Sequence, residues 1–78
     1  MHEHHHHEDV KKLEAGLPYL LKHNQEHVKD LEKWMQRARD AHQDAVADEL
    51  HKILELSRQI TMHFEAALAA LEHHHRNG

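Results

Sequence analysis

The chain has no cysteine, one proline and two glycines in 78 residues. Without cysteine there is no disulfide and no thiolate metal site. A chain this short buries little core, so a bound metal or a partner chain is left to staple it. β-Branched residues are few, which argues against strands. No run of about 18 apolar residues occurs, so no segment is expected to cross a membrane. No signal-peptide pattern is present either, and a cytoplasmic location is expected. The formal net charge is -4 with histidine neutral, and no basic stripe stands out. Nucleic acid is therefore not an expected partner. There is no HExxH, no glycine-rich loop and no nucleophile beside a base. Glu3-x-x-His6 and Glu72-x-x-His75 have di-iron spacing but lie at the two ends, with no matching core pair. The core is also too thin for an ordinary substrate pocket. The chain is not expected to be an enzyme.

What remains is rich in Ala, Leu, Glu, Lys, Gln and Arg, all good helix formers. The expected class is all-α. The anomaly is 13 histidines, whose protonation would reverse the sign of the net charge. The chain should respond to pH and to divalent metals.

Residues 1–9 form a His/acid tract that cannot pack a core, and they are expected to be disordered without metal. Two origins stay open: an expression tag, or a native tail in which His4 and His6 collect metal. Residues 73–78 carry the same ambiguity. Residues 10–72 are expected to form the helical hairpin, with a possible short helix over 9–15. Gly16 and Pro18 then suggest a break, so helix one is placed at about 18–41. A kinked continuation from residue 9 is the alternative.

From Leu20 the order Leu20, Asn24, His27, Leu31, Trp34, Ala38, Ala41 steps by 4 and 3, a heptad seam. Leu21, Val28 and Met35 widen one flank. A second seam runs Val46, Leu50, Ile53, Ser57, Ile60, Phe64, Ala67, Leu71. The two are out of phase, and the slip falls at residues 42–45. That predicts a turn with Asp44 as N-cap and a second helix over about 45–72. One long helix is the alternative. Two antiparallel helices each leave a stripe half covered, so the hairpin is expected to pair as a homodimer into a four-helix bundle.

The stretch His23-Asn24-Gln25-Glu26-His27 interrupts the first seam with polar residues. His23 and His27 are four apart, one turn above the other on a helix, and can share one divalent ion. With a turn near residue 43, His63 falls at the level of His23. Three imidazoles suit nickel, cobalt, zinc, copper or iron. Glu26 and Asp30 are nearby carboxylates. Asn24 would hydrogen-bond a ligand imidazole or fix register. The bland reading is also open: a spaced histidine pair is weakly specific in so histidine-rich a chain. Trp34, Met35 and Phe64 read as core.

The run Leu17-Pro18-Tyr19-Leu20-Leu21-Lys22-His23-Asn24-Gln25-Glu26-His27, followed by Leu31-Glu32-Lys33-Trp34, resembles a small helical-hairpin domain. That domain occurs alone or fused behind nickel-binding accessory proteins of the carbon-monoxide-dehydrogenase maturation type. The resemblance covers roughly residues 17–71. Its specific motif is His23-Asn24-x-x-His27 with Trp34 seven residues after His27. Tyr19 and Leu20-Leu21-Lys22 stand where the family carries another aromatic and a histidine, so a further ligand there is absent. His42 stands where the family's turn often carries glycine. The resemblance implies nickel or cobalt handling and a metalloenzyme maturation partner. The expected function is therefore binding of a transition metal, nickel favoured and cobalt or zinc next, for storage or delivery. Its ligands would be His23, His27 and His63, with Glu26 beside them and the histidine-rich tail as collector. The rival is a structural or protein-interaction module that dimerises, with tag-derived histidines.

Overall fold

A computed structural model describes the backbone of residues 2–77 and the side chains of residues 8–73. Two helices account for nearly all of it: α1, His2–Asp40, and α2, Asp44–Asn77. They pack side by side as an antiparallel hairpin 59 Å long and 19 Å wide. No described helix is long and apolar enough to cross a membrane.

The break expected at Gly16 and Pro18 is not made. Helix α1 continues through both, as the alternative of a continuation from residue 9 has it, and it starts earlier, at His2. Pro18 has no N–H to give the Glu14 carbonyl, but both residues are exposed and water can reach that carbonyl. The continuation also takes in residues 2–9, where no structure was expected. Helix α2 likewise runs past residue 72.

The turn falls where the phase slip predicts it. The His42 N–H donates to the Arg39 carbonyl at 3.0 Å and the Gln43 N–H to the Ala38 carbonyl at 2.8 Å. This pair of bonds is a Schellman cap, which needs its penultimate residue in the left-handed region. His42 takes that role with φ of 60°. The expected cap of α2 shifts by one residue. The Gln43 carbonyl accepts from the Ala47 N–H at 3.0 Å, so Gln43 caps α2. Asp44 follows in the first turn, its carboxylate at the positive end of the dipole.

The seam between the helices is not quite the expected one. From Leu17 on, the half-buried or buried residues of α1 are Leu17, Leu21, Asn24, Val28, Leu31, Met35 and Ala38. Those of α2 are Ala47, Leu50, Leu54, Ser57, Thr61, Phe64, Leu68 and Leu71. Both keep the 4-3 rhythm, but only every second expected position is retained. Leu20, His27, Trp34 and Ala41 stay outside, as do Val46, Ile53, Ile60 and Ala67. The reason is polar matching. The Asn24 amide donates to the Ser57 carbonyl at 2.9 Å and to Thr61 Oγ1 at 2.7 Å. Had the helices met through His27 and Ile60, Asn24 would sit against a column without polar groups. Among the described residues the buried ones are Ala38, Ala47 and Leu54, all toward the turn end.

Candidate functional site

Each helix has apolar residues in three adjacent heptad columns, and the hairpin uses two of them. The third is left over on the same side of both helices, because in an antiparallel pair equivalent flanking columns face each other. One broad side therefore carries Leu20, Trp34, Val46, Ile53 and Ile60, with 45% to 56% of each exposed. The opposite side is charged. There Arg58 bridges the helices to Glu32 at 3.2 Å and also binds Glu55 at 3.1 Å. Arg39 approaches Asp48 at 3.9 Å. The two broad sides thus differ in kind: one polar, one apolar.

His27 sits at the middle of the apolar side, in the same column as Leu20 and Trp34. His23, one turn before it, lies at that side's outer edge. Their rings are in edge contact with centroids 5.8 Å apart. Two imidazoles on one ion at a metal–nitrogen distance of about 2.1 Å have centroids about 5 Å apart. A small rotamer change is enough to chelate. Tyr19 stacks on the far face of His23 with centroids at 6.0 Å, which holds that ring along the helix. Trp34 is covered on one face by the Arg37 guanidinium, 4.6 Å from the ring centroid.

His63 is brought to the height of His23 but not to its side. The Asn24–Thr61 bond fixes a register in which residues 23 and 63 are level. Each lies at the outer edge of its own helix, with the width of the apolar side between them. His63 flanks a shallow apolar groove formed by Leu17, Ile60, Phe64 and Ala67. Glu26 and Asp30 are exposed. Among the described residues no three His, Asp or Glu side chains gather where they could hold a metal ion. The described residues of a single hairpin therefore bring together two imidazoles, without a third carboxylate or imidazole beside them. The His4 and His6 side chains lie outside the described ones.

Asn24 bonds to α2 and not to a histidine, so its part is register. Sequence reasoning missed Thr61 and Ser57 as its partners. A signal was present: two small hydroxyl residues stand four apart among otherwise apolar seam positions.

Residues 13–71 match the family model described as domain of unknown function DUF8180. The match spans more than half of the chain, and the protein belongs to that family. The matched span includes the turn, His23, His27 and His63, and leaves out the histidines at both ends. No curated protein and no solved structure matches the chain.

Proposed function

We propose that this member of the family is a self-associating helical hairpin, in which two copies pair through their apolar sides into a four-helix bundle. One observation carries the reading: six of the large apolar residues left exposed, Leu13, Leu20, Trp34, Val46, Ile53 and Ile60, line up on a single side, with Tyr19 and Met62 outside that line. The areas agree with it. The chain exposes 6596 Å². A compact monomer of 9.3 kDa exposes roughly 5,000 Å². The apolar side between residues 13 and 41 is about 42 Å long at 1.5 Å per residue. With the 19 Å width it offers roughly 800 Å² per copy, the standard footprint of a stable interface.

The test is sedimentation equilibrium of the whole chain, with Trp34 fluorescence as a second reading, since it is the only tryptophan. A dimer is expected, with Trp34 emission shifting to the blue as concentration rises. Ile53→Glu removes apolar burial from both copies and forces two carboxylates into the interface. It should weaken association about 100-fold or more, while helix content persists. A chain that stays monomeric at all concentrations would overturn the proposal.

A second reading stands beside it, favoured by the ring contact between His23 and His27. In that reading the bundle holds a transition metal, nickel first and cobalt or zinc next, for storage or delivery in the cytoplasm. The resemblance of the His23–Trp34 stretch to domains fused to nickel accessory proteins supports it. A rise in melting temperature with Ni²⁺, Co²⁺ or Zn²⁺ that His23→Leu abolishes would test it, because binding to the folded state alone stabilises by mass action.

A further inference from the structure

We infer that the metal site is completed between two copies: His23 and His27 of one chain together with His63 of the other. The inference rests on the paired bundle proposed above. It comes from heights and edges. The Asn24–Thr61 bond makes residues 23 and 63 level, and the heptad puts both on the apolar side, at opposite edges. A two-fold axis parallel to the helices lays α2 of the second copy over α1 of the first. Heights do not change under that rotation, and the outer edge of α2 falls on the outer edge of α1. His63 of the partner subunit then stands over His23, beside His27. The two rotated copies give two such sites.

The rest of the side fits the same rotation. Trp34 meets Ile53 of the partner subunit, and Leu20 meets the partner's Ala67, large against small. Arg37 and Glu49 are also level and at the two outer edges, so the rotation pairs opposite charges. Asp30 falls against the partner's Leu56 at the rim, where water still reaches it. Among the described residues no third His, Asp or Glu of the same chain gathers with His23 and His27, which is why the pairing matters. Three imidazoles with an open fourth position make a familiar first shell for zinc, and imidazole also suits nickel and cobalt. An open position lets an exchanging ligand bring or remove the ion.

The test uses the full chain with histidines 2, 4–7 and 73–75 changed to glutamine, so that the tails do not bind. Co²⁺ reports geometry through its visible spectrum, and Zn²⁺ competes for the same site. In this background two ions should bind per dimer, and free Zn²⁺ at 100 times its Kd should tighten each filled dimer by about 100-fold per site. His63→Gln should abolish the spectrum, and so should His23→Gln with His27→Gln. Mixing those two variant chains should restore one site in each mixed dimer, because the mixed pair brings together one complete set. Metal binding that survives His63→Gln, or no recovery on mixing, would overturn the shared site while leaving the dimer intact. Equal binding by the monomeric Ile53→Glu chain would also overturn it. A chain monomeric with and without metal would remove the dimer and the shared site together.

Discussion

His42 occupies a backbone position that glycine fills better, and the gain can be worked out. Its φ is 60°, in the left-handed region. There a Cβ crowds the following carbonyl oxygen at a cost of roughly 1–2 kcal/mol. The two capping bonds, from the His42 and Gln43 N–H groups, belong to the backbone and survive any substitution that keeps the conformation. The His42 side chain is exposed, so removing it leaves no cavity. Against the relief of strain stands the greater freedom of glycine in the unfolded chain, about 0.5–1 kcal/mol. His42→Gly should then stabilise by about 0.5–1 kcal/mol, or roughly 3–6 °C in a domain of this size. The assay is thermal unfolding by circular dichroism at one fixed protein concentration, since association would shift the midpoint independently. His42→Val is the control of opposite sign, because a β-branched residue tolerates the left-handed region least. If glycine is no better than histidine and valine no worse, the turn does not store this strain and the Schellman assignment is refuted.

Other expectations follow from the seam and from α1. Asn24→Ala should cost about 1–2 kcal/mol by removing two part-buried hydrogen bonds. Asn24→Leu should recover most of that stability but loosen register, visible as duplicated amide signals for residues near Ser57 and Thr61. A single sharp set of signals in the leucine variant would contradict a register role. At Gly16 an added Cβ meets nothing within 4 Å. Gly16→Ala should stabilise the helix by about 1 kcal/mol and slow amide exchange in residues 8–17. Unchanged exchange there would mean that Pro18 alone sets the weakness of that segment. The Ile53→Glu and mixed-chain experiments above complete the set.

The helical class, the two-helix division and the place of the turn were legible because they rest on composition and on phase. The slip between Ala41 and Val46 is a property of the pattern itself. The choice of seam was not legible to the same degree. Leu31 and Ala38 belong to a column that can pair with Val28 and Met35 on one flank or with His27 and Trp34 on the other. Periodicity gives both flanks the same rhythm. The deciding contact is Asn24 with Ser57 and Thr61, and it needs the second helix in place before it can be seen. Helix continuity at Gly16 and Pro18 failed for a different reason. Local rules weigh an isolated break, while here the solvent-facing carbonyl of Glu14 can be hydrated. The candidate ligands were half legible. The His23–His27 contact follows from their spacing alone, whereas the height shared by His23 and His63 says nothing of which edges they occupy.

That ambiguity between two flanks is itself informative. A two-stranded pair needs two apolar columns per helix, and a third column there is a liability in water. A four-helix bundle needs three, because every helix faces two neighbours. Leu20, Trp34, Ile53 and Ile60 are surplus for the hairpin and necessary for the bundle. The charged side then limits growth. With Arg58 tied to Glu32 and Glu55, and Arg39 near Asp48, the described residues of the opposite side offer charge where a third copy would add to the proposed pair. One self-complementary side closes on a two-fold and stops, which is the condition for a dimer instead of a fibre. His27 lies on that one side, level with Ile60, where leucine would bury more apolar area. In the proposed bundle, a polar ring at the centre of the pairing side would place metal chemistry at the junction between copies.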